Sequence, residues 1–314
     1  MTKINRQWIS QLPIKNIQKI HPVSGGDVND AYRLDSKDGP YFLLVQKNTQ
    51  ASFYDSEVAG LKAFEKADIT APKVINQGEI NGDAYLLLTY LDEGFLGDQK
   101  RLGELISKLH HVHNDNGQFG FDLDYQGASL TFSNAWNASW SDFFIKQRLD
   151  PLHDYLIDHQ LWQKAESDAY QEIRAIIIDS LSQHKSQPSL LHGDLWSGNF
   201  MFLSDGRPAI FDPAPFYGDR EFDIGVSIVF GGFNQNFYQS YQALYPMEAG
   251  YEFRLDFYQL YLLMLHLAKF GRVYYDSVEA IMKRIRGWDK SLKTKRVKKL
   301  VFTNFLTLLL KIRY

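Results

Sequence analysis

The chain has 314 residues and no cysteine, which excludes disulfides, thiolate zinc sites, iron–sulfur clusters and a cysteine nucleophile. It also lacks a charge excess: 34 basic residues stand against 37 acidic ones, a formal net charge of -3. No general attraction to nucleic acid or to an anionic membrane follows, and neither is expected as a partner. Long apolar runs are missing too. The most apolar stretch, Leu300–Ile312, is broken by Thr303, Asn304 and Thr307, falls short of the roughly 20 residues that span a bilayer, and reads as a closing core helix. The opening MTKINRQWISQLPIKNI has no uninterrupted apolar segment of the signal-peptide kind, so the expected location is cytoplasmic. Internal repeats and low-complexity tracts are absent.

What is present is ordinary globular material, 45% apolar and 15% aromatic, in a chain long enough for two domains, since one core stops growing near roughly 250–300 residues. The first ninety residues are mixed. Ile17–Pro22, Ala31–Leu34 and Tyr41–Gln46 are short β-favouring runs broken by Gly25-Gly26 and by Asp38-Gly39-Pro40, which predicts an antiparallel meander. Phe53–Ala67 switches to helical period, with Val58, Leu61, Phe64 and Ala67 on one face. Lys73–Gln77 and Ala84–Tyr90 follow as two strands joined at Asn81-Gly82-Asp83.

Beyond Asp92 the pattern is helical over Leu102–His113, Trp140–Gln160, Lys164–Gln183, Tyr251–Tyr274 and Ser277–Arg286. One β-insert interrupts it: Ser189–Leu191, then Phe200–Leu203 and Pro208–Phe211 joined by Ser204-Asp205-Gly206-Arg207, with Asp-Gly at the hairpin tip. The expected boundary divides residues 1–91 from residues 92–314.

The insert carries the chemistry. It reads His192-Gly193-Asp194-Leu195-Trp196-Ser197-Gly198-Asn199, then Asp212-Pro213-Ala214, then Gly218-Asp219-Arg220-Glu221-Phe222-Asp223. An Asp and an Asn five residues apart on one loop, followed after a hairpin by a second Asp, match the spacing of kinase-like phosphotransferases. The hairpin folds Asp212 back beside Asn199. Both offer hard oxygen ligands suited to Mg²⁺, and Asp194 is placed to accept a hydroxyl proton. His192 reads as a brace for the loop backbone. Asp223, at an expected helix start, reads as a clamp on the loop amides.

These residues resemble the fructosamine kinase (ketosamine 3-kinase) family, in the aminoglycoside-phosphotransferase branch of the protein-kinase-like fold. The likeness extends to Gly25-Gly26, Glu57 with Gly60-Leu61, Leu109-His110, Phe119-Gly120-Phe121, Gln147-Arg148-Leu149 and Phe230-Gly231-Gly232-Phe233. Its specific part is the Trp-Ser pair between Asp194 and Gly198. The resemblance implies an α+β fold: a small antiparallel-sheet lobe with one helix, and a large, mainly helical lobe with a small β-insert. It further implies ATP- and Mg²⁺-dependent phosphorylation of the 3-hydroxyl of a ketosamine such as a fructosamine or ribulosamine, a repair of glycated amines. Asp194 would be the base, and Asn199 with Asp212 would hold the metal. The turn at Gly25 and Gly26 would cover the phosphates, Glu57 would serve the nucleotide, and adenine would meet backbone near Thr89 and Leu91. The alternatives are a kinase for another hydroxylated small molecule, aminoglycoside- or choline-like, and a weakly active nucleotide-binding pseudokinase.

The last alternative arises from one departure. The family carries a strand lysine that pairs with the helix glutamate, and here Leu44 occupies its place, leaving Glu57 without that partner. Lys47 lies three residues on, and strand alternation points it at the opposite face. Substrate would meet Trp196 and the Asn134–Trp140 segment, where Trp136 and Trp140 are either a polar-aromatic wall or core packing. His110, His111 and His113 form no zinc site, because residue 111 turns away from the face shared by 110 and 113, and His110 is assigned to packing. Nine basic residues between Lys283 and Lys299 read as a solvated helix face.

Overall fold

The computed structural model describes residues 4–23, 29–126 and 130–288. In chain order it contains α1 (Arg6–Ile9), β1 (Ile17–Val23), β2 (Asp30–Ser36), β3 (Gly39–Gln46), α2 (Asp55–Lys66), β4 (Val74–Ile80), β5 (Asp83–Thr89) and α3 (Gln99–His110). Then follow β6 (Tyr125–Gln126), β7 (Thr131–Phe132), α4 (Trp140–Phe144), α5 (Asp150–Asp158), α6 (Lys164–Ser182) and β8 (Ser189–Leu191). The described elements close with β9 (Phe200–Phe202), β10 (Pro208–Ile210), β11 (Phe216–Gly218), α7 (Glu221–Val229), α8 (Gln235–Leu244) and α9 (Tyr251–Phe270), and residues 275–288 are helical as well. The Gly25-Gly26 turn, the Leu300–Ile312 segment and most of the basic stretch lie outside the described residues.

Two compact units emerge, with bounds other than a single cut after residue 91. One comprises Met1–Phe143 with Ser186–Met247, the other Phe144–Lys185 with Glu248–Tyr314. The second is helical, built by packing of α5, α6 and α9. The long helix anticipated over Trp140–Gln160 is interrupted by a π-helical turn at Ile145–Leu149 before Asp150-Pro151 restarts it as α5, in keeping with proline's preference for the first helical turn. No described helix is long and apolar enough to cross a membrane.

The first unit carries a five-stranded antiparallel sheet of order β1-β2-β3-β5-β4. Alternation divides β3 cleanly. Leu43 and Val45 join Tyr32, Leu34, Tyr85 and Leu87 in a core capped by Trp8, Ile9 and Leu12 of α1 and the turn after it. Phe42 and Leu44 face the other way, with Leu44 opposite both Ala31 and Leu86. Lys47 pairs with Asp30 at 3.0 Å, and Asp30 is registered opposite Val45, so the lysine lies on the face away from Leu44, as its odd offset requires.

Helix α2 places Glu57, Gly60, Leu61 and Phe64 on one stripe, since residues three and four apart are neighbours on a helix. Gly60 is a packing requirement: a Cβ there would lie 2.7 Å from Pro215 Cγ and 3.0 Å from Pro213 Cγ. At the far end of the stripe, the Phe64 ring lies 6.0 Å from that of His192. The helix therefore rests directly on the Asp212–Pro215 segment.

Candidate active site

The β9–β10 hairpin registers Ile210 opposite Phe200, and the Phe211 N–H donates to the Asn199 carbonyl at 3.0 Å. Asp212, the next residue, is thereby set beside Asn199 in a left-handed conformation, φ 55. The following segment is laced to the loop that precedes Asp194: the Ala214 N–H donates to the His192 carbonyl at 2.9 Å. Gly193 adopts φ +81, and a Cβ at that position would fall 1.8 Å from the Ala214 carbonyl oxygen, so only glycine permits this approach. Asp194, Asn199 and Asp212 thus converge on one place.

The Asn199 amide donates from Nδ2 to both the Asp194 backbone carbonyl (2.8 Å) and the Asp194 carboxylate (3.0 Å). That leaves Oδ1 as the side-chain atom with which Asn199 could meet a cation. Asp212 is exposed and Asp194 half-buried, so the donor set is oxygen-only and reachable, which fits a hard divalent cation such as Mg²⁺.

A buried hydrogen-bond chain holds this loop. Asp223 is fully buried and accepts from the His192 N–H at 2.7 Å and the Gly193 N–H at 3.0 Å. On its other side lies His110 Nε2, 3.1 Å away, and His110 Nδ1 lies 2.8 Å from the Tyr241 hydroxyl. A carboxylate only accepts, so His110 carries its proton on Nε2 and Nδ1 accepts from the phenol. Arg220 Nη1 in turn donates to the Tyr241 oxygen at 3.2 Å. His110, read from the sequence as packing, is therefore a hydrogen-bonded member of the loop's support. Its partners stand 113 and 131 residues away, out of reach of any local pattern. His192 is held likewise: Nε2 donates to the Phe211 carbonyl at 2.9 Å while Nδ1 accepts from the Asp194 N–H at 3.3 Å. Burial is the main force on both imidazoles and pushes both below the ordinary histidine value.

Glu57 approaches Asp212 from α2. The residue keeps some contact with solvent, yet its carboxyl is enclosed enough that burial first, and the Asp212 charge second, raise it well above the usual carboxylate range. Tyr54 adjoins both acids, its phenol raised by burial and then by their charges, and donates to Asn29 at 3.0 Å. Among the described residues the Glu57 carboxyl has no hydrogen bond or ion pair.

The expected base-binding residues end β5. The Thr89 N–H is committed to the Lys73 carbonyl at 2.9 Å and its hydroxyl accepts from the Lys73 N–H at 2.8 Å, so Thr89 has no N–H to offer a base. Leu91 backbone groups enter no described backbone hydrogen bond. Trp196 stands on the loop beside Asp194, 38% exposed, its ring edge-on to Phe230 at 6.5 Å. Trp136 is half-buried, donating from Nε1 to Asp122 at 3.1 Å and tilted over Tyr217 at 6.1 Å; none of these contacts joins it to the Asp194 loop. Trp140 is 4% exposed among Phe143, Phe216 and Phe222, which makes it core and removes it from any substrate wall. A cavity of about 550 Å³ lies on the other side of α2, lined by residues such as Val58, Lys62, Val74 and Gln77; it includes none of the three convergent residues.

Comparison with known proteins agrees with this geometry. The chain is 53% identical over 282 residues to a protein of Staphylococcus aureus named a probable ketoamine kinase, covering 90% of this chain and 98% of that one. It is 32% identical to the chloroplastic protein-ribulosamine 3-kinase of Arabidopsis thaliana, covering 88% and 86%. A crystal structure from Haemophilus somnus, provisionally assigned as a fructosamine-3-kinase, superposes with a TM-score of 0.77 at 28% identity, covering 86% of this chain and 91% of that one. The fold is protein-kinase-like. The family model described as fructosamine kinase matches residues 1–287, and a chain with this loop, this hairpin and these relatives belongs to the fructosamine kinase family and is a phosphotransferase.

Proposed function

We propose that this kinase uses ATP and Mg²⁺ to phosphorylate the 3-hydroxyl of a ketosamine such as a fructosamine or ribulosamine, so that the unstable product releases its amine. Residues 1–91 serve the nucleotide and residues 92–314 supply catalysis and substrate contacts. The observation that carries the reading is the pairing of Asp194 with Asn199 in a loop that also holds Trp196 and faces Asp212.

Asp194 accepts the hydroxyl proton as the sugar oxygen bonds to the γ-phosphorus and the bond to the β-phosphate oxygen breaks. Asn199 orients that carboxylate through Nδ2 and, with Asp212, would hold the cation through oxygen. When bound, the cation neutralises phosphate charge. Asp223 and His192 fix the loop backbone, which keeps Asp194 aimed. Trp196 offers an apolar face to the sugar, and Gly25 and Gly26, outside the described residues, would serve the phosphates.

The test is purified full-length chain with ATP, Mg²⁺ and a deoxyfructosyl or ribulosyl lysine derivative, read by mass spectrometry. Gain of one phosphoryl group and loss of the sugar from the amine are expected. Phosphorylation of an aminoglycoside or choline-like alcohol in place of the ketosamine would overturn the substrate assignment.

A further inference from the structure

The unpartnered glutamate on α2 poses a problem of charge. Glu57 and Asp212 are both acids and share Tyr54 as a neighbour. The cation that such a glutamate needs is not supplied by β3, where Leu44 stands on the facing side. Lys47 is spoken for by Asp30 on the other face. The two acids are also set side by side: Gly60, one turn from Glu57, packs so closely on Pro213 and Pro215 that a Cβ there would lie 2.7 Å from Pro215 Cγ. Like charges confined in this way repel unless a proton or a cation comes between them. Asp212 is exposed, so a cation can approach the pair from its side.

Building on the kinase reading, we infer that Glu57 is a direct ligand of the divalent metal, sharing it with Asp212, so that in this chain the metal occupies the electrostatic place left open by Leu44. The donor chemistry matches: magnesium is bound through one or two carboxylates plus substrate phosphates, and Glu57 with Asp212 makes two. The consequence is a division of labour unlike that of a lysine-bearing strand. The helix glutamate grips the metal directly, and the metal alone ties α2 to the nucleotide.

The experiment measures Mn²⁺ binding by electron paramagnetic resonance on the full chain with the non-hydrolysable β,γ-imido analogue of ATP, after thermal melts establish that each variant is folded. Glu57→Gln should weaken Mn²⁺ by at least about 10-fold, since even groups outside the ligand shell change metal affinity by 10–100-fold. Leu44→Lys should weaken it too, because an ammonium would claim Glu57, while nucleotide binding without metal tightens. Wild-type Mn²⁺ affinity in Glu57→Gln overturns the inference; should that variant fail to fold, unchanged Mn²⁺ affinity in Leu44→Lys does so instead. Asp212→Asn separates this from the underlying reading: if it too binds Mn²⁺ like the wild type, the metal assignment itself is wrong.

Discussion

Asn199 holds Asp194 at two points, carbonyl and carboxylate, through the one nitrogen of its side chain. Amide and acid therefore move as a unit, so the proposed proton acceptor is oriented before substrate arrives. Asp194→Asn should lower turnover by about 10²–10⁴-fold, the usual worth of a positioned base, with ATP binding retained by calorimetry. Unchanged turnover would remove Asp194 from the role.

Asp223→Ala leaves two buried backbone N–H groups and the His110 Nε2–H without an acceptor. Each unsatisfied buried donor costs about 1–3 kcal/mol, so the three together should cost roughly 3–9 kcal/mol in urea unfolding, with a smaller loss for Asp223→Asn, which keeps one acceptor oxygen. An unaltered unfolding midpoint would show that the loop amides do not depend on this clamp.

The depressed basicity of His110 and His192 sets a pH dependence. Their imidazoles stay neutral in the fold but protonate near ~6.5 when unfolded, so the unfolded chain binds more protons below that pH. Stability contributed by neutral burial is present above ~6.5 and is lost as pH falls toward the lower folded-state values. Urea midpoints should drop between pH 7.5 and 5, on the order of that window, and His110→Gln should flatten part of the slope.

Gly60→Ala pits two effects against each other. Alanine favours an isolated helix by about 1 kcal/mol, whereas its Cβ here would meet Pro215 Cγ at 2.7 Å, and overpacking costs about 1–3 kcal/mol. Proline rings yield little, so net destabilisation together with reduced turnover is expected. A more stable, fully active variant would mean that the contact is slack.

Trp196→Ala removes an exposed ring edge-on to Phe230. Melting temperature should change little, while KM for the ketosamine rises by about 10-fold, equivalent to ~1.4 kcal/mol, and KM for ATP holds. A selective rise in KM for ATP would reassign the ring.

Legibility from sequence followed locality. The five strands, helix α2 and the β9–β10 hairpin are set by alternation, helical period and turn residues within a few positions, and all appear in the structure near their expected ranges. The spacing of Asp194, Asn199 and Asp212 was readable for the same reason. Helix α1 has only four residues, and β11 three, too few for a period to register; α7 is buried nearly all round, so beyond the start expected at Asp223 no polar face marks its course. His110 and Trp140 were misjudged or left open because their surroundings come from distant segments. The second unit joins Phe144–Lys185 to residues beyond 248, a partition set by helix packing and invisible to a linear scan for boundaries.

The seat of α2 on two proline rings has a further bearing. Pro213 and Pro215 are rigid, and Gly60 gives the helix no side chain to compress, so inward travel is blocked and outward travel would uncover Phe64 and the His192 ring beneath it. A joint of this kind is poorly suited to toggling. Throughput would then follow the supply of the two substrates of the phosphoryl transfer, with the tool kept permanently assembled.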